Sequence, residues 1–437
     1  MKDLKIKYDQ NGFDSIGRVF TLNDKVYRKV YNEYLDFYNI FFESDCWKKL
    51  KELKLFPDTS FSDIKIDYNT FVLEHDKINI ITYPNEWTFD MLKDAALTTL
   101  KVLEILDEFG YTLKDGHPNN LLFDGCRPKF IDFGSIVIKK NQFWNAKNEF
   151  LKSFYIPLKI WSYGYEQLAN LLLTDETSRC TNQDHQLILN SIINDDKVFI
   201  LKKRKKSIFE IEYSVQELIN LTKNLKNINS KNEWGEYHNE YFTNNKTTIS
   251  TDRFDKIISI IDTLKVESIL DIASNQGVIS FLISERCKNV KKITCLDYDS
   301  EAINKCYLKA KENSNWVSKI NVAKVDFILM QSLYFQKDPQ IRFSSECLLV
   351  LALTHHLILS QHKYDLELIL NKLHQYTSKY LLIEFMPLGL WNGKSLPEIP
   401  SWYTEEWFTN KLEFFFKIDS IIKLEINRIL FVCVKKW

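Results

Sequence analysis

The eight cysteines of this 437-residue chain form no CxxC pair, and its eight histidines show no zinc-ligand spacing. The common structural zinc sites are therefore excluded, and scattered thiols such as Cys46, Cys126, Cys295 and Cys433 read as reduced cysteines of a cytoplasmic protein. An excess of one charge is missing too. Lys and Arg total 58 and so do Asp and Glu, so no global attraction to nucleic acid or to an anionic membrane is expected. Long apolar runs are absent: the longest, residues 347–353, is far short of the roughly 20 residues that span a bilayer. Residues 1–10 are charged and have no apolar core, so no secretory signal is expected. No repeat appears at solenoid spacing.

What is present is an ordinary globular composition, 45% hydrophobic and 27% charged, in a chain long enough for two domains. Residues 223–250 are rich in Asn, Lys and Thr and poor in aliphatics. They separate two segments of good apolar periodicity, which divides the chain into 1–222, a linker of 223–250, and 251–437. The linker holds Trp234, Tyr237 and Tyr241, which could cover a ligand or pack between domains.

In the last segment the pattern alternates. Helical periodicity at 253–264, 277–286, 300–313, 366–376 and 405–414 intervenes among strand-like runs at 268–273, 292–297, 320–326, 347–353 and 380–385. Two closing strands fall near 417–424 and 428–434. Apolar, β-branched strands alternating with helices predict an α/β domain with a parallel sheet covered on both faces. Within it, Asp271-Ile272-Ala273-Ser274-Asn275-Gln276-Gly277 takes a buried strand through a tight turn into a helix, where small residues let the backbone approach a ligand. Asp297 and Asp326 end the next two strands, and Asp299 is placed to cap the following helix.

This segment resembles motif I of class I S-adenosylmethionine (SAM)-dependent methyltransferases, with Ala273 and Asn275 where the family has its first two glycines. The resemblance implies a Rossmann-like sheet of seven strands, the last antiparallel. It also implies a SAM site of Asp271, Ala273, Asn275, Gly277, Asp297 and Asp326, with Asp297 accepting from the ribose hydroxyls and Tyr241 folding over the cofactor. His355 and His356 follow the fourth strand. A neutral imidazole there could take a proton from a nucleophile, or the pair could brace the loop. Glu384, ending the fifth strand, is a weaker candidate for substrate contact.

The first segment carries strand-like runs at 18–22, 26–30, 70–73 and 78–82 and one long helix at 87–109, stopped by Gly110. Asp115, Asn120 and Asp132-Phe133-Gly134 then fall at the spacing of a protein-kinase catalytic Asp, metal-binding Asn and metal-binding Asp. The segment resembles a kinase-like α+β lobe, with Asp115 as tentative catalytic residue and with Asn120 and Asp132 as metal ligands if ATP and Mg2+ bind. Arg28 or Lys29 could take the ATP-lysine role, paired with Glu33 or Glu43. Leu113-Lys114 stands where kinases have His-Arg, and there is neither a Gly-rich phosphate loop nor an Ala-Pro-Glu sequence. Both an active phosphotransferase and a structural or substrate-binding lobe stay open. The basic run 202–206 reads as solvated surface or as a phosphate contact.

As a whole the chain resembles bacterial SAM-dependent methyltransferases of a NoeA-like nodulation family. The resemblance rests on Tyr83-Pro84-Asn85-Glu86-Trp87, Leu92-Lys93-Asp94-Ala95-Ala96-Leu97, Leu113 to Asn120, Arg127-Pro128, Leu351 to His356, and Ile383-Glu384-Phe385-Met386-Pro387. It implies methyl transfer to an oxygen or nitrogen of a small-molecule or glycan acceptor. The alternatives are a bifunctional kinase–methyltransferase and a non-catalytic SAM or nucleotide sensor.

Overall fold

The computed structural model describes residues 6–14, 16–174, 180–193, 207–228, 236, 238–243, 247–248, 250–329, 336–360, 364–391 and 393–437. Trp234, Tyr237 and the basic run 202–206 lie outside the described residues. The chain divides into two units, built mainly from Met1–Asp124 with Pro128–Ser230, and from Lys231–Ser332 with Gln336–Trp437.

The first unit opens with an antiparallel sheet of β1 (Lys7–Asp14), β2 (Gly17–Leu22), β3 (Lys25–Tyr31), β4 (Thr59–Ser62) and β5 (Thr70–His75), in the order β1-β2-β3-β5-β4. β2 and β3 are joined by Asn23 and Asp24, both left-handed, the backbone that a two-residue hairpin turn demands. β1 and β4 are strands that the sequence pattern did not suggest. The expected strand at 78–82 is irregular chain instead. The strand it follows, β5, already pairs with β3 on one side and β4 on the other, so this segment cannot fold back on β5 as a hairpin partner. The long helix is Phe89–Glu108, capped by the Thr88 hydroxyl, which accepts from the Met91 N–H. Two short antiparallel pairs follow, β6 (Tyr111–Leu113) with β9 (Ile136–Ile138) and β7 (Leu121–Asp124) with β8 (Arg127–Phe130).

The second unit begins with a small pair, β10 (Phe242–Thr243) and β11 (Thr247–Thr248). Its main sheet holds β12 (Ser268–Ile272), β13 (Lys292–Asp297), β14 (Ile320–Lys324), β15 (Ser345–Val350), β16 (Thr377–Phe385), β17 (Phe416–Glu425) and β18 (Arg428–Lys435). The order is β14-β13-β12-β15-β16-β18-β17, parallel throughout except that β18 runs against both neighbours. The seven-stranded mixed sheet with an antiparallel last strand is as expected. The central strands are buried along nearly their whole length, whereas β17 after Phe416 alternates exposed and half-buried residues, as an edge strand with one wet face should.

Register aligns Ala323, Leu296, Ile272, Val350, Ile383 and Phe431 in one row across the sheet. β12 and β15 end at this row, β13 one residue past it and β16 two, so their carboxyl ends form a line along which loop residues gather. The fourth strand ends at Val350, three residues earlier than the pattern implied, and the freed chain forms a short helix, Thr354–Leu359, carrying both histidines. No helix among the described residues is long and apolar enough to cross a membrane.

Candidate functional site

A cavity of about 570 Å³ lies along this edge of the second unit. Its wall includes Asp271 near the end of β12 with Ala273, Ser274 and Asn275 after it; Asp297 at the end of β13 with Asp299 after it; and Asp326, Phe327 and Ile328 after β14. Ala352, Leu353, His356 and Tyr364 follow from the β15 side, with Arg253, His238 and Arg428 completing it.

The turn after β12 keeps glycine-like geometry without the glycines. Ala273 and Asn275 both have φ near +50°, and Gly277 follows at +77°. A left-handed backbone costs a non-glycine residue roughly 1–2 kcal/mol, so this turn holds strain at the cavity wall. The Asn275 N–H donates to Asp297 Oδ2 at 2.8 Å, which fixes the turn to the neighbouring strand end. Ala273→Gly is expected to stabilise the protein by about 0.5–1 kcal/mol, seen as a higher urea midpoint with unchanged slope. A lower midpoint would show that the methyl group has a packing role outweighing the strain. Gly277 is not on the cavity wall. A β-carbon there would meet Cys306 Sγ at 2.6 Å, so glycine serves helix packing at this position.

Asp271 is buried and accepts a hydrogen bond from the Ser280 hydroxyl at 2.7 Å. Burial, opposed by that hydrogen bond and reinforced by the nearby Asp297 charge, pushes its carboxyl up to about 7. Burial likewise pushes Asp297 up to about 6, against the backbone N–H groups of Asp299, Asn275 and Tyr298, which favour the charged form. Both shifts are upward, so the folded chain prefers the protonated acids. Their contribution to stability is full below the unfolded carboxylate range near 4 and is lost as pH rises through about 6 to 7. Asp271→Asn should therefore raise the melting temperature of the ligand-free protein more at pH 8 than at pH 5.5. An equal change at both pH values would mean that Asp271 does not titrate in this range.

Asp326 turns its own loop, with Oδ1 accepting from the N–H groups of Ile328 and Leu329, each at 3.0 Å. Asp299 caps the helix Ser300–Glu312 through the Ala302 N–H at 2.8 Å, as its position predicted. The Ser274 hydroxyl is buried, on the wall, and has no hydrogen-bond partner among the described residues. An unsatisfied polar atom at a cavity wall suits a site meant for a polar ligand.

Of the two histidines, His356 is on the wall and His355 is not. Their rings are 4.1 Å apart. Burial, then the His356 and Arg428 charges, hold His355 down to about 3, so it is a neutral buried ring at any working pH. Tyr241 is also off the wall; it packs on His238 and Phe254, whose side chains are on it. The segment just before β10 is tied down through Gln276, whose amide donates to Asn239 Oδ1 at 2.9 Å and accepts from Lys309.

The arginines are what the sequence reading missed. Glu384 is fully buried. Arg253 grips it with Nε to Oε1 at 2.7 Å and Nη2 to Oε2 at 2.8 Å, and Arg428 Nη1 reaches Oε2 at 3.0 Å. The Ala352 N–H donates to the same oxygen at 2.9 Å. A charge inside an apolar strand was the available signal, since a buried carboxylate requires a cationic partner. Which arginines would supply it depends on residues 131 before and 44 after Glu384 in the chain.

In the first unit, hydrogen bonds join the loops that carry Asp115, Asn120 and Asp132. The Asp115 N–H donates to Ser135 Oγ at 3.0 Å, and the Ile131 N–H donates to the Asn120 carbonyl at 2.8 Å. Arg28, buried on β3, pairs with Asp132 at 3.3 Å, while Lys29 pairs with Asp67 at 3.2 Å. Neither ion pair runs to Glu33 or Glu43, the partners considered from sequence. An apolar cleft of about 550 Å³ lies against Gly134, lined also by Phe37, Tyr38, Leu113 and Ile136, but not by Asp115, Asn120 or Asp132.

Compared with known proteins, the chain is 26% identical over 349 residues to the nodulation protein NoeA of Rhizobium meliloti strain 1021, covering 72% of this chain and 71% of that one. The chain is a homologue of NoeA. No protein-family model matches it. Among solved structures it is similar to the magnesium protoporphyrin IX methyltransferase of Synechocystis PCC 6803 with bound SAH (12% identity, TM-score 0.32, 42% of this chain and 82% of that one). It is also similar to a SAM-dependent methyltransferase of Aquifex aeolicus (13% identity, TM-score 0.32, 43% and 100%).

Proposed function

We propose that the second unit binds SAM and moves its methyl group to an oxygen or nitrogen nucleophile of an acceptor molecule. One observation carries the reading. Asp271, Asp297 and Asp326, from three separate strand ends, share a single cavity with a left-handed turn and an unsatisfied Ser274 hydroxyl. Acidic side chains there suit a ligand that brings hydroxyl donors and positive charge together.

When bound, SAM supplies an electrophilic methyl carbon: its bond to sulfur breaks, sulfur keeps the electron pair, and the new bond forms to the nucleophile. The chain's own contribution is alignment and a dry wall. Asp297 keeps lone-pair capacity on its carboxylate beyond its backbone bonds from Asn275, Asp299 and Tyr298. Phe327, Ile328, Leu351 and Leu353 supply apolar wall between the acidic positions and the acceptor side. His356, on the wall, is the side chain placed to receive the nucleophile's proton; His355 supports it from behind. Native mass spectrometry of the purified protein is expected to show co-purified SAM or S-adenosylhomocysteine. No such mass, together with no calorimetric binding of added SAM, would remove this reading.

A second reading concerns the first unit. The Asn120 side-chain N–H group is buried without a partner among the described residues, in loops joined to Asp115 and Asp132. A buried donor of this kind favours a ligand that brings an acceptor oxygen, such as a nucleotide's phosphate, and with it a bifunctional kinase–methyltransferase. Magnesium-dependent ATP turnover abolished by Asp132→Ala would establish it. Without turnover, the lobe presents or regulates substrate.

A further inference from the structure

The cavity is polarised along its length. All four aspartates on its wall, Asp271, Asp297, Asp299 and Asp326, belong to the ends of β12, β13 and β14. Both arginines converge at the other end, on Glu384 of β16. Asp297 and Glu384 are each one residue past the aligned row, on strands three places apart. At the usual spacing of about 4.8 Å between strands this is roughly 14 Å. A nucleoside held at the Asp297 end therefore leaves the arginine end for something else.

Glu384 is the one fully buried carboxylate bonded to the two guanidinium groups; the Arg253 charge also reaches Asp271, whose carboxyl burial pushes up to about 7 and so leaves partly neutral. Glu425 takes Arg428 Nε at 3.0 Å, but it is half exposed and screened by solvent. Holding surplus positive charge at a largely buried wall is unfavourable for folding alone, since apolar residues of similar volume commonly do as well or better than a buried ion cluster. Among the described residues, the bonds of Arg253 to Glu384 use Nε and Nη2, and those of Arg428 to carboxylates use Nη1 and Nε. Nη1 of the first and Nη2 of the second take no part in these bonds, and both residues line the cavity. Glu384 fixes both forks in place, which is what a preorganised anion site needs. His356, Ser360 and Tyr364 line the same side and add no negative charge.

We propose that the methyl acceptor carries a carboxylate or phosphate group, and that Arg253 and Arg428 hold this anion as the handle that turns the nucleophile toward the methyl carbon. The proposal rests on the methyltransferase reading above. The same guanidinium groups could instead serve the carboxylate of the cofactor's own methionine moiety, and the experiment separates the two.

Full-length protein is saturated with S-adenosylhomocysteine, or separately with 5′-methylthioadenosine, which lacks that carboxylate. Benzoate, phenyl phosphate and neutral benzamide are then titrated by calorimetry. The expected result is that one of the two anions binds at least tenfold tighter than benzamide under both loadings. Arg428→Gln should cut the preference below threefold. No preference in the wild type overturns the proposal, as does a preference untouched by Arg428→Gln. Anion binding seen only with 5′-methylthioadenosine assigns the arginines to the cofactor and also overturns it. That arm needs no variant, so a misfolded Arg428→Gln does not blunt the test. If neither nucleoside binds, the methyltransferase reading has failed, and the preference of the ligand-free protein for the anions still decides the site.

Discussion

Glu384→Ala is expected to destabilise the protein by about 3–5 kcal/mol, close to the whole margin of a typical domain. The carboxylate is fully buried and answers three guanidinium bonds and the Ala352 N–H. Removing it strands two positive charges at a wall where their side chains are only 12% and 15% exposed. It also frees the N–H of Ala352, whose left-handed φ of 50° needs support from its surroundings. Glu384→Gln keeps an acceptor oxygen and should lose less. The decisive comparison is a double-mutant cycle with Arg253→Met: if the loss comes from an uncompensated charge, removing the cation as well should recover a large part of it. Urea unfolding measures all four proteins. A loss under 1 kcal/mol for Glu384→Ala would mean that the cluster behaves as a solvated surface pair.

How far the sequence led is clearest at particular residues. Strand–helix alternation and Asp297 at a strand end were legible because burial on both faces forces apolar runs, and an acid closing such a run stands out. The left-handed turn was legible only in part. Its motif looked weakened by Ala273 and Asn275, yet the backbone takes the glycine conformation regardless, since the hydrogen bond from Asn275 to Asp297 holds it there. The short helix bearing His355 and His356 was not legible, as six residues give too little periodicity to separate a helix from a loop. The strand expected at 78–82 had the right residues but could not pair back on β5, whose two sides are taken by β3 and β4, which is a fact of topology and not of composition. The arginine end escaped for a similar reason: Arg253 and Arg428 look like helix-start and hairpin charges until the fold brings both to Glu384.

Asp297→Ala is expected to weaken SAM binding about a hundredfold, and by tenfold at the least. A hydrogen bond to a charged group is worth about 1.5–3 kcal/mol, and each 1.4 kcal/mol is tenfold in affinity. The substitution removes two such acceptor positions facing the cavity, and it also releases the Asn275 N–H that fixes the turn. Asp297→Asn, which preserves shape and one acceptor oxygen, should fall between. The pH profile separates a role in binding from one in packing. Burial holds the wild-type carboxyl up at about 6, so it is mostly ionised at pH 7.5 and mostly protonated at pH 5. Affinity for SAM should therefore fall as pH drops through 6, by up to tenfold per unit if the ligand requires the charged form of Asp297, with any limb from Asp271 centred higher, near 7. Asp297→Asn, with nothing to titrate at that position, should lose this limb of the profile while Asp271 retains its own. Calorimetric titrations of wild type and both variants at pH 5.0, 6.0 and 7.5 make the comparison. An unchanged dissociation constant for Asp297→Ala at pH 7.5 would take Asp297 out of the cofactor site.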